Sequence, residues 1–257
     1  MKKLITLALL LSAFSCFKMK AQTTTYGELS TWFTLLNRVQ FAKHWSFSNE
    51  LHDRHGKVMN VQGIFIERPS IDYLLNKNVE FSVGYSYVNT HSYTPYNLPI
   101  PKTENNVWEQ VILKNDVGKV HFLHRFRQEN RWLDKIVTDG DGSRLDGKIY
   151  GNRFRYRFDL STDIYKIKDS EKAFFFHAFD EFWFTQNKHL LPADFARNWM
   201  YLGVGFKFNK SCNIQIGYMN QYDKINATKY ISTSIIQTTF VKNFDFSKKI
   251  EAPKKAE

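Results

Sequence analysis

From residue 26 onward, polar and apolar side chains alternate in stretches of roughly 10 to 15 residues, separated by clusters of Asn, Asp, Gly, Lys and Pro. Between Ile149 and Ser161, Tyr150, Phe154, Tyr156, Phe158 and Leu160 share one parity, while Arg153, Arg155, Arg157 and Asp159 share the other. A period of two puts successive side chains on opposite faces of a strand. The same division recurs from Val120 to Arg131, where Val120, Phe122 and Phe126 oppose Arg125, Arg127, Glu129 and Arg131. It recurs again from Met200 to Asn209, with Met200, Leu202, Val204, Phe206 and Phe208 against Tyr201, Gly203, Gly205 and Lys207. From Asn78 to Asn89, Val79, Phe81, Val83, Tyr85 and Tyr87 oppose Glu80, Ser82, Gly84 and Ser86.

Eleven such segments are predicted as strands: 26–36, 44–54, 61–72, 78–89, 104–114, 118–132, 149–161, 171–184, 196–209, 211–222 and 231–241. They are long. Strands of soluble proteins average about five or six residues, whereas a tilted strand needs about 9 to 11 to cross hydrocarbon. A soluble sandwich would bury its apolar face as an aliphatic core. Here that face is wide and aromatic, and the opposite face carries arginines that a dry core would not hold unpaired. Both features fit an all-β chain folded as an antiparallel transmembrane β-barrel, with its apolar side chains toward lipid and its charges toward the lumen. Closure would remove every sheet edge. Because bacterial barrels have even strand numbers and place both termini in the periplasm, twelve strands are expected, with ten as the alternative.

Connection lengths orient such a barrel. Leu74–Lys77, Asn115–Lys119 and Asn209–Ser211 read as short periplasmic turns, and Thr90–Thr103, Leu133–Lys148, Gln186–Phe195 and Asp223–Tyr230 as long surface loops. Ser161–Ser170 is a longer exception on the short-turn side.

The opening MKKLITLALLLSAFSCF sets two lysines before an apolar run that is too short to span a bilayer, the layout of a secretory signal peptide. Cleavage after Ala21 would leave a barrel over 22–247 and a basic tail over 248–257. A rival cut before Cys16 would make a lipoprotein. Losing Lys2, Lys3, Lys18 and Lys20 lowers the net charge from +11 to +7, much of which sits in the tail, so the balance does not point to nucleic acid. Cys212 would be the only cysteine left, which excludes an intrachain disulfide. No later apolar run reaches 18 residues, so no helical span is expected.

Seven segments carry a family resemblance: WFTLL from Trp32, SNELHDR ending at Arg54, ERPSIDYLL from Glu67, VGYSY from Val83, FLHRFRQENRW ending at Trp132, NRFRYRF from Asn152 and LGVGFKF from Leu202. Their order and spacing resemble the family called domain of unknown function 2490, over roughly residues 26–246. The resemblance implies an outer-membrane barrel without an assigned activity. The chain departs from the family pattern at Asn106 and Trp199, where the family tends to have arginine, so two lumen charges are expected to be missing.

The candidate site is a lumen charge ladder of Arg125, Arg127, Glu129, Arg131, Arg153, Arg155, Arg157, Asp159 and Glu181. Six guanidinium groups against three carboxylates leave a positive interior, which Glu50, Glu67 and Glu109 from earlier strands would offset. Two readings stay open: an ion-paired plug, and a small anion-favouring pore or binding cleft.

Other chemistry is weaker. His121 and His124 fall on opposite faces of one strand, and His52 and His55 read as flanking a turn. The segment Thr138–Gly147 resembles a calcium loop but has Arg144 and Tyr150 where glycine and glutamate are required, so it reads as a Gly/Asp loop. An outward His124, expected opposite Asn152 and Phe154, has no serine neighbour, and no Gly-x-Ser-x-Gly elbow exists. Trp45, Trp132, Trp183 and Trp199 read as interface-girdle and packing residues.

Taken together, the sequence predicts an outer-membrane barrel acting as a small pore or a structural envelope protein. No cofactor, metal or catalytic set is assigned. The expected partners are outer-membrane lipid, the barrel-assembly machinery and small solutes or ions. The alternatives are a lipid-modifying enzyme and a soluble exported binding barrel. N-terminal sequencing of the exported protein is expected to begin at Gln22; an acylated chain starting at Cys16 would establish the lipoprotein cut instead.

Overall fold

The structure, a computed structural model, describes residues 22–93, 97–186, 190 and 192–247. The expected signal segment 1–21 and basic tail 248–257 lie outside the described residues. The strands are β1 Gln22–Gln40, β2 Trp45–Gly56, β3 Val61–Asn76, β4 Val79–Thr90, β5 Lys102–Val117, β6 Val120–Asp139, β7 Gly142–Lys166, β8 Ala173–Gln186, β9 Ala193–Asn209, β10 Cys212–Lys224 and β11 Lys229–Asp245. Each matches one of the eleven predicted segments and extends it at one end or both.

The strands form one closed barrel in chain order, with β1 hydrogen-bonded to both β2 and β11. Sequential neighbours are antiparallel, but β1 and β11 pair in parallel, from Gln22 opposite Lys229 to Gln40 opposite Asp245. Two expectations are thereby corrected: the barrel has eleven strands, not twelve or ten, and it is not wholly antiparallel. The reason is parity. When an odd number of strands alternates in direction, the first and last run the same way, so only a parallel ladder can join them.

The termini of the barrel therefore sit at opposite rims. β11 ends at the rim carrying the connections 41–44, 77–78, 118–119, 167–172 and 210–211, while β1 begins at the opposite rim, where β2, β4, β6, β8 and β10 end. The expected surface loop over Leu133–Lys148 is largely strand. β6 and β7 stay paired up to Asp139 opposite Gly142, so only a tight turn remains of the segment that resembled a calcium loop.

The two faces of the wall differ in the sense the alternation predicts. Leu202 on the outer face is 51% exposed, whereas Arg155 on the inner face is 2% exposed. Val83, Val204, Ile214 and Ile216 also face outward and are exposed. Glu67 and Glu109 point outward as well, so they do not neutralise the interior as expected.

Large inner side chains lie flat along the wall because glycines stand beneath them. Gly84 on β4 faces Trp108 on β5, and a Cβ there would overlap the indole ring and crowd the Pro69 carbonyl. Gly84→Ala is expected to cost about 1–3 kcal/mol, the usual penalty of overpacking, read as a lower urea midpoint of the purified barrel. Gly140→Ala, whose Cβ would meet nothing within 4 Å, is the control and should change stability by less than about 0.5 kcal/mol.

Candidate functional site: a charged and aromatic belt inside the barrel

The register between β6 and β7 sets Arg125 opposite Arg157, Arg127 opposite Arg155 and Glu129 opposite Arg153. Like charges directly opposite one another repel, and carboxylates reaching in from other strands offset them. Glu181 of β8 is fully buried and accepts from Arg125 Nη2 at 2.8 Å and from Arg155 Nε at 2.7 Å. Glu129, also fully buried, accepts from Arg155 Nη1 at 2.9 Å and pairs with Arg153. Arg131 makes two 2.7 Å bonds to the two oxygens of Glu104. Arg157 grips Asp159, and His177 Nε2 lies 2.9 Å from the same carboxylate. Glu50 of β2 meets its cross-strand neighbour Arg68 of β3 at 2.6 Å and reaches across the lumen to Arg127 of β6 at 3.6 Å. These are charge-assisted bonds shielded from water, where geometry counts most.

Indole faces supply the remaining compensation. Trp32, Trp108, Trp183 and Trp199 are all buried inside the barrel. The Arg54 guanidinium carbon lies 3.8 Å from the Trp32 ring centre and 5.2 Å from that of Trp199. Arg127 sits 4.1 Å from Trp108, Arg155 3.9 Å and Arg153 4.4 Å from Trp183, and Arg157 3.8 Å from Phe179. A guanidinium is weakly hydrated and is attracted to the negative face of a ring, so it tolerates this setting better than an ammonium would. Of the four tryptophans expected as girdle and packing residues, Trp183 and Trp199 pack inside, while Trp45 and Trp132 are exposed on the outside.

All nine residues of the expected ladder lie in this interior, together with Glu50. The expected set lacked Arg54, Arg68, Glu104, Arg197, Asp223, Trp32 and Trp108. Parity could have found Arg54, since it shares the inward face of Glu50 and His52 on β2. His52 lies within β2 and not beside a turn; its ring nitrogens lie 3.1 Å from Thr34 Oγ1 and 3.3 Å from Glu50 Oε2.

Two cavities flank the belt. One of about 180 Å³ has Glu50, Arg125, Arg157, Asp159 and Gln215 in its wall. The other, about 240 Å³, opens toward the long-loop rim between Glu104, Arg131, Arg153, Arg197 and the Tyr93 and Leu98 side chains of the β4–β5 connection. Arg54 and Arg68 line both.

A family described as "Protein of unknown function (DUF2490)" matches residues 29–232. The chain belongs to this family. No curated protein matches it. The matched span runs from β1 into β11 and takes in every belt residue named above, so the belt is part of the DUF2490 domain and not of an appendage. The two positions where the resemblance leads arginine to be expected carry neutral side chains in this DUF2490 chain. Asn106 is fully buried opposite Arg131, and its Nδ2 donates to Glu104 at 3.2 Å. Trp199 gives its ring to Arg54, Arg155 and Arg197.

On the outer wall His124 stands opposite Phe158 and Leu113, not Asn152 and Phe154 as expected. Its Nδ1 lies 2.9 Å from the Tyr156 hydroxyl, and its ring packs 5.0 Å from that of Phe158.

Glu181→Gln would leave Arg125 and Arg155 buried without their shared charge. A loss of about 3–5 kcal/mol is expected on urea unfolding of the purified protein. The triple variant Glu181→Leu with Arg125→Met and Arg155→Met should lose less than Glu181→Gln alone, because both guanidinium groups that Glu181 served are then gone and Glu129 keeps Arg153.

Proposed function

We propose that this chain is an integral barrel of the bacterial outer membrane whose lumen is shut at mid-height by the Arg–Glu–Trp belt. In this reading it serves as a closed envelope barrel with a positively biased interior, and not as a continuous ion channel. The observation that carries the proposal is the inverted wall, with exposed aliphatic and aromatic side chains outside and ion pairs sealed inside. Soluble monomers rarely expose apolar patches beyond a few hundred Å², and a lipid-facing wall requires them.

The outer face also has a definite apolar height. The outward acids Glu67, Glu109 and Asp180 stand seven to nine residues from the short-turn ends of their strands at Asn76, Val117 and Ala173. At about 3.3 Å per residue and a tilt of about 40°, that leaves roughly 20 Å of wall without a carboxylate, near the apolar band of membrane barrels. An odd strand number departs from the even count of bacterial outer-membrane barrels and has its precedent in a mitochondrial membrane barrel. The short-turn rim would then face the periplasm, the outer wall would meet lipid, and insertion would need the barrel-assembly machinery.

The belt argues against the pore reading. Arg127 is 1% exposed and Glu129 and Glu181 are 0% exposed, although a water-filled passage would have wetted them. Two measurements test the proposal. The protein should stay with outer membranes through a carbonate wash, and purified barrels should give no conductance steps in planar bilayers. Release by carbonate would defeat the membrane placement, and steady ion current would defeat the closed lumen.

A further inference from the structure

We infer that the cavity on the long-loop side of the belt is a binding site for a small monocarboxylate with an apolar body, recognised by Arg54. The inference rests on the closed barrel proposed above, since the belt forms the floor of the site. The cavity wall carries Arg54, Arg68, Lys102, Arg131, Arg153 and Arg197 against one carboxylate, Glu104. Most of these cations are already engaged: Arg68 by Glu50, Arg131 by Glu104, Arg153 by Glu129 and Arg197 by Asp223. Arg54 differs. It is 4% exposed, it lies in none of the ion pairs among the described residues, and its Nε has no hydrogen-bond acceptor. Its charge rests on the Trp32 ring, which orients the guanidinium without using any of its N–H groups.

A buried guanidinium without a counter-charge calls for an anionic guest, and a planar carboxylate fits its fork better than a spherical ion does. The rest of the wall asks for carbon, because Ile64, Ile66, Val88, Leu98 and Leu133 contribute no polar group. Size sets the class. An apolar cavity of about 150 Å³ holds benzene, and this one has about 240 Å³, room for a ring or short chain with a carboxylate attached. Entry would be from the long-loop rim, beneath Tyr93 and Leu98.

Calorimetric titration of the full-length barrel in uncharged micelles tests this with four probes: benzoate, hexanoate, benzyl alcohol and inorganic phosphate. Benzoate or hexanoate should bind saturably at one site, at least about tenfold tighter than benzyl alcohol or phosphate, the worth of one charge-assisted contact. Preference for benzoate would indicate an aromatic acid, and preference for hexanoate an aliphatic one. Arg54→Gln should remove that tenfold preference, and Ile66→Trp, which fills the cavity while leaving Arg54 in place, should abolish binding. The site is refuted if neither acid binds, if each acid binds no tighter than the alcohol, or if Ile66→Trp binds as wild type does. Should Arg54→Gln fail to fold, the Ile66→Trp result decides. Absence of binding in barrels that stay silent in bilayers would reject the site and leave the closed barrel standing, whereas conductance would reject the floor on which the site depends.

Discussion

A guanidinium group sealed inside a protein needs either a carboxylate or the electron-rich face of a ring beside it, because the energy of removing it from water is otherwise uncompensated. The interior of this barrel is arranged around that requirement. Arg54, Arg68, Arg125, Arg127, Arg131, Arg153, Arg155, Arg157 and Arg197 converge from β2, β3, β6, β7 and β9. Glu50, Glu104, Glu129, Asp159, Glu181 and Asp223 do not match them one for one, so shared carboxylates and indole faces take up the difference. Removing either kind of partner would leave a charge that the surrounding side chains cannot move aside to hydrate.

That belt also explains other features of the wall. Arginines stacked on flat rings need space beside the wall, and inward glycines such as Gly84 provide it where a Cβ would collide with an indole. Polar groups held inside leave the apolar parity outside, and the proposed bilayer placement follows from that division. The acids Glu67, Glu109 and Asp180 then mark the edge of the apolar height and play no part in the interior.

Much of this was legible from alternation alone. A period of two is a local property of a strand, so the existence of all eleven strands, and the parity that places Arg125, Arg127, Glu129, Arg131, Arg153, Arg155 and Arg157 on one face, could be read residue by residue. Composition does not say which tryptophans pack inside, whereas parity does: Trp183 and Trp199 share the inward parity of Glu181 and Tyr201, and Trp45 and Trp132 have the outward one. Charge alone puts Glu67 and Glu109 inside, but Arg68 and Trp108 beside them occupy the inward positions and leave both acids outside.

The sequence by itself determined the all-β character of the chain, its strands and the polarity of each face, because these depend on neighbours one and two positions away. Only the tertiary structure decided the strand number, the parallel seam between β1 and β11, and the reach of Glu50 across the lumen to Arg127. Those depend on register accumulated around a closed ring, where a shift of one residue on any strand would turn its charges outward. No local pattern records the sum of those registers, and so the orphaned donor of Arg54 became visible only once the ring was closed.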